Sequence, residues 1–148
     1  MTRYLFLLFL LSCLTTNELK AQLGIGVHIG EPTALSVQYQ PRGGMAADFL
    51  FAYDLNDYLF INGHGLWKRT LDDGGHFSFY YGPGAFVLLR GPRRDRWNDD
   101  AQLGLSGNFG LSFRFSRIDL FAQITPRFSV VPATEFGVGG GFGGRFWF

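Results

Sequence analysis

The last thirteen residues, Phe136-Gly-Val-Gly-Gly-Gly-Phe-Gly-Gly-Arg-Phe-Trp-Phe148, constrain the fold more tightly than any other part of the chain. Even positions carry Phe136, Val138, Gly140, Phe142, Gly144, Phe146 and Phe148, and odd positions carry four glycines, then Arg145 and Trp147. A period of two belongs to a β-strand, whose successive side chains point to opposite faces. One face offers aromatic bulk, while the other is nearly bare backbone interrupted by one cation. The first face needs apolar surroundings, and the second needs a neighbour close by.

The same alternation recurs along the chain. Strands are expected over 23–30, 34–40, 47–54, 58–68, 77–90, 103–115, 118–125 and 136–148, separated by turn-forming clusters such as Glu31-Pro-Thr33, Pro41-Arg-Gly-Gly44 and Asp72-Asp-Gly-Gly75. The fourth is the least regular, and Pro83 interrupts the fifth, where a residue without an N–H weakens a ladder. Leu103 to Phe115 is the clearest, with Leu103, Leu105, Phe109, Leu111, Phe113 and Phe115 opposed to Gly104, Ser106, Asn108, Gly110, Ser112 and Arg114. The expected fold class is all-β: an antiparallel, eight-stranded, up-and-down transmembrane β-barrel. An even strand number and segments of about ten residues suit tilted strands that cross a bilayer.

Composition decides between a soluble barrel and one in a membrane. Aromatic residues make up 18% of the chain and glycine supplies 21 of 148 residues, yet charged residues reach only 17%. Mean hydropathy is only +0.07, because apolar and polar residues interleave. A water-facing strand surface would be rich in Lys, Glu and Asp. Here the polar face is mostly Gly, Ser, Ala, Asn and Gln, which fits the crowded interior of a narrow barrel, and the uncharged aromatic face fits lipid. A net charge of +1 marks no nucleic-acid partner.

The amino terminus reads as an export leader: Met1-Thr-Arg3 is positive, residues 4–11 are uninterruptedly apolar, and Leu19-Lys-Ala21 is an acceptable cleavage site. The expected division is a signal peptide over 1–22 and a barrel over 23–148, with cleavage after Ala21. The competing reading takes Leu10-Leu-Ser-Cys13 as a lipobox, which would lipidate Cys13. Cys13 is the one cysteine, so neither a disulfide nor a cysteine-based metal site is available.

With both termini in the periplasm, connections one, three, five and seven face outward. The longest are expected at 91–101, which carries Arg93, Arg94, Arg96 and Trp97, and at 127–135. Ordinary solvated charge explains the fifth connection better than a dedicated partner site, and the extracellular partner stays unnamed. A closing strand that ends on Phe, with an apolar aromatic outer face and a thin polar inner one, resembles the last strand of bacterial outer-membrane barrels.

Several motifs carry a more particular resemblance: Gly24-Ile-Gly26 followed by Gly30-Glu-Pro-Thr-Ala-Leu-Ser36, then Tyr80-Tyr-Gly-Pro-Gly84, Asp119-Leu-Phe-Ala122 and the closing Gly144-Arg-Phe-Trp-Phe148. In that order they resemble a family of small bacterial outer-membrane proteins of unknown function. Ala34 departs from the family's usual glycine. The resemblance implies a compact transmembrane barrel and implies no reaction and no ligand; a monomer in outer-membrane lipid without a cofactor is expected. By its resemblance to the closing strands of outer-membrane barrels, the last strand is expected to carry an assembly signal, Phe142, Phe146 and Phe148, for the barrel-assembly machinery.

No catalytic constellation stands out. Gly139, Gly141 and Gly144 match G-x-G-x-x-G by chance in a glycine tract, without the helix that would hold a pyrophosphate. His28, His64 and His76 share no metal-ligand spacing. His28, Ser36 and Asp54 can be cast as a lipid-modifying site, although nothing in their spacing requires it. The inward charges have a structural reading. Asp48, Lys68, Arg114, Asp119 and Arg145 should form a lumen ionic cluster toward the end bearing both termini, with Arg114 opposite Asp119 across a two-residue hairpin. That cluster would seal the lumen. The alternative is a narrow porin-like channel lined by the same groups.

Overall fold

The computed structural model describes residues 22–54, 58–90, 101–131 and 133–148. Eight strands follow in chain order: β1 (Gln22–Glu31), β2 (Ala34–Gln40), β3 (Ala46–Asp54), β4 (Tyr58–Thr70), β5 (Phe77–Arg90), β6 (Ala101–Phe115), β7 (Ile118–Val131) and β8 (Glu135–Trp147). Each pairs antiparallel with the next, and β8 pairs with β1, so the sheet closes on itself as an eight-stranded barrel. Closure removes the unpaired edges that an open sheet would expose. No helix among the described residues is long and apolar enough to cross a membrane, which leaves strands as the elements to consider.

The alternating sequence sorts cleanly by face. Leu23, Ile25, Val27, Leu35, Phe49, Phe109, Leu120, Ile124, Val138 and Phe142 stand outward and exposed. Their chain neighbours His28, Ser36, Gln38, Asp48, Asn108, Asp119, Gln123 and Arg145 are buried inside. The interior is layered. At the end away from the termini lies an apolar layer of Ala34, Leu50, Ala52, Phe60, Phe86 and Leu88. A polar belt follows, and Ala46, Leu66, Tyr80 and Phe121 form a second apolar cluster nearer the termini.

Strand ends differ from the sequence expectation chiefly at β7 and β4. β7 does not stop at Thr125 but runs through Pro126 to Val131, so the long seventh connection expected at 127–135 shrinks to 132–134. Pro126 is tolerated because β8 still pairs on either side of it, at Thr125↔Gly139 and Arg127↔Gly137. β4 likewise continues to Thr70, which shortens the turn expected to begin at Arg69. Asp72 secures that turn by accepting from the Phe77 amide at 2.9 Å and the His76 amide at 3.3 Å. β5 passes through Pro83, which stays in register with Gly107, because the other residues of a fourteen-residue strand carry the ladder. The leader, with Cys13, and the fifth connection, with Arg93, Arg94, Arg96 and Trp97, lie outside the described residues.

Candidate functional site: the lumen network

Barrel closure brings β8 beside β1 and within reach of β2, and Arg145 exploits this. Its Nε donates to Ser36 Oγ at 2.7 Å, one terminal nitrogen to Gln38 Oε1 at 3.0 Å, and the other to Asp48 Oδ1 at 3.1 Å. The nitrogen on Gln38 also meets Asp119 Oδ2 at 3.4 Å. The guanidinium carbon lies 3.8 Å from the centre of the Phe121 ring. One planar cation therefore gathers acceptors from β2, β3 and β7. Only arginine has enough fixed donors for that.

Glycine makes these contacts possible. Gly26 on β1 is the register partner of both Arg145 and Ser36, so the two side chains meet across a residue with no side chain of its own. The device repeats around the wall. Gly84 pairs with both His64 and Ser106, whose Nε2 and Oγ lie 3.0 Å apart. Gly110 pairs with Tyr80 and Gln123, and the tyrosine hydroxyl donates to Gln123 Oε1 at 2.8 Å. Gly143 pairs with His28 and Phe121, whose rings stack at 6.1 Å. A Cβ on Gly110 would run into the Tyr80 ring. The inward glycines are thus the gaps over which alternate strands bond.

The five residues expected in the lumen cluster fall into two groups. Asp48, Asp119 and Arg145 form the buried ion pairs. Lys68 and Arg114 instead flank Trp147, with Lys68 Nζ 5.3 Å and the Arg114 guanidinium 4.5 Å from its ring centre. Arg114 does stand opposite Asp119 in the ladder, but among the described residues the carboxylate's ion pair is to Arg145. The indole of Trp147, 2% exposed, is buried at the end of the barrel that bears the termini. Sequence reading missed Ser36, Gln38 and Trp147 as members of this network. Their inward parity was visible, but their proximity to Arg145 and the cations depends on closure.

The histidines divide similarly. Of the candidate set of His28, Ser36 and Asp54, His28 Nδ1 lies 2.8 Å from the Pro32 carbonyl and Ser36 Oγ accepts from Arg145, while the side chain of Asp54 lies outside the described residues. His76 lies in the turn before β5, with Nδ1 3.0 Å from the Arg114 carbonyl. His64 sits between Ser106 and Asp48, with Nδ1 3.9 Å from Asp48 Oδ2. That order imitates a nucleophile, base and carboxylate relay. The Ser106 hydroxyl donates instead to Asn62 Oδ1 at 2.8 Å, and all four side chains are buried. The arrangement is a packed polar contact.

Phe142, Phe146 and Phe148, the residues expected to serve as an assembly signal, are all outward, and the Phe148 amide donates to the Leu23 carbonyl at 2.9 Å across the closing seam. A closed, antiparallel eight-stranded barrel with an apolar exterior and a polar, filled interior is thereby defined. Among solved structures, the N-terminal β-barrel domain of Pseudomonas aeruginosa OprF resembles it with a TM-score of 0.61 and 11% identity, over 86% of this chain and 96% of that one. At that identity the likeness is one of fold. No family model and no curated protein matches the chain, so the motif resemblance at its two ends finds no support there.

Proposed function

We propose that this chain is an integral outer-membrane barrel that serves as a sealed structural or surface-presenting element, with no catalytic role and no open pore. The exposed band of Phe, Leu, Ile and Val supports placement against lipid, and the fold likeness to an outer-membrane barrel domain agrees with it. On this reading the leader is removed by cleavage after Ala21, both termini face the periplasm, and the barrel works as a monomer. The short motifs quoted above are the only support for a relation to the small outer-membrane family.

One observation carries the seal: the Arg145 guanidinium fills the lumen with bonds to Ser36, Gln38, Asp48 and Asp119 and stacks on Phe121. Eight strands enclose little more than their own side chains. Purified, refolded protein added to a planar lipid bilayer is expected to give no discrete openings. Regular stepwise conductance in the unaltered protein would replace the seal with the narrow-channel reading.

A further inference from the structure

Above the apolar layer, at the end away from the termini, the barrel opens into a cavity of about 290 Å³. Its walls include Phe60, Phe86 and Leu88, with Arg90 and Arg127 among the polar residues. Phe60, Phe86 and Leu88 are also buried members of the apolar layer, so they form the cavity's apolar floor. Arg127 lies 5.3 Å over the Phe60 ring, and a Cβ on Gly139 would collide with its guanidinium. Neither Arg90 nor Arg127 has a carboxylate within ion-pairing distance among the described residues. Glu135 also lines the cavity, so two cations meet one anion.

The wall beside this cavity is incomplete. β8 pairs with β7 up to Ser129↔Glu135, whereas its pairing with β1 ends at Glu31↔Gly140. Among the described residues, 135–139 therefore pair with a strand on one side only, an edge of roughly 16 Å at strand rise. The outer surface of this hairpin is apolar, with Phe128, Val130, Phe136 and Val138 all exposed. On the membrane reading above, the notch lies within reach of lipid, where unpaired backbone needs a polar partner.

From these two features we infer a binding site for an anionic amphiphile. Its carboxylate or phosphate meets Arg127 and Arg90, its apolar portion rests on Phe60, Phe86 and Leu88, and the notch is its route from the membrane. The volume falls at the small end of ligand pockets, roughly 300 to 1,000 Å³. The cavity therefore holds a medium-length chain, or the head and first methylenes of a lipid whose tails leave through the notch. The inference rests on the barrel lying in the membrane and is independent of the seal.

Native mass spectrometry of the refolded protein from uncharged detergent micelles tests it. Decanoate represents a free acid and dioleoylphosphatidate a membrane lipid; decanol and inorganic phosphate each lack one half of the chemistry. Saturable one-to-one adducts are expected with decanoate or phosphatidate, and the one that binds more tightly identifies the source. Arg127→Gln combined with Arg90→Gln should weaken that adduct about tenfold or more, and the Arg127→Lys, Arg90→Lys pair should restore part of it. Heat-modifiable mobility on gels checks that each variant is folded. Equal binding of decanol, equal binding of phosphate alone, or adducts indifferent to both arginines would overturn the site.

Discussion

Arg145 is the residue on which the interior depends, since it holds two buried carboxylates at once. Removing a cation leaves such carboxylates desolvated without a partner, which typically costs about 3 to 5 kcal/mol. Arg145→Met is therefore expected to lower the urea midpoint of the refolded barrel by that order. Adding Asp48→Asn and Asp119→Asn should recover much of the loss, since the uncompensated charges are then gone. Arg145→Lys should recover little, because one ammonium cannot span Ser36, Gln38, Asp48 and Asp119. A triple variant no more stable than Arg145→Met would show that charge compensation is not what the network supplies.

The closing strand β8 shows how two faces of one element tolerate change differently. Phe142 is outward and sits mid-strand between Ile29 on β1 and Ala122 on β7. On a lipid-facing surface, an arginine there costs about 2 to 4 kcal/mol near the midplane, so Phe142→Arg should deplete the heat-modifiable folded form. The bare face is not uniformly permissive. A Cβ on Gly141 would collide with the Ile29 carbonyl, whereas one on Gly137 meets nothing within 4 Å. Gly137→Ser is accordingly expected to fold like the unaltered protein and Gly141→Ser to fold poorly. Equal folding yields for the two serine variants would show that β1 and β8 are not so closely apposed.

For the molecule as a whole, closure and assembly meet at the last residue. The Phe148 backbone joins β1 through Leu23, while its ring stands outward, edge-on to Phe146 at 5.2 Å. Phe148→Ala keeps the backbone bond and removes only the ring. If the barrel-assembly machinery reads that ring, the variant should give less folded barrel in cells and refold normally from denaturant in detergent. Equal loss in both settings would assign Phe148 to packing alone, and no loss in either would remove its assembly role.

Alternation made the strand count, the antiparallel order and the inward or outward sense of nearly every side chain legible in the sequence, because a period of two is a local property of extended backbone. Arg145, Asp48 and Asp119 could be placed inside on that ground alone. Which inward residues touch was decided by the closed sheet. Arg145 reaches Ser36 because β8 returns to β1 and Gly26 leaves the space between them empty, a meeting of residues 109 positions apart. The closed sheet also set Arg114 and Lys68 against Trp147, carried β7 past Pro126, and, among the described residues, left 135–139 of β8 paired with β7 alone. Parity is written residue by residue, whereas register, shear and the fit of side chains over bare glycine exist only once all eight strands have met.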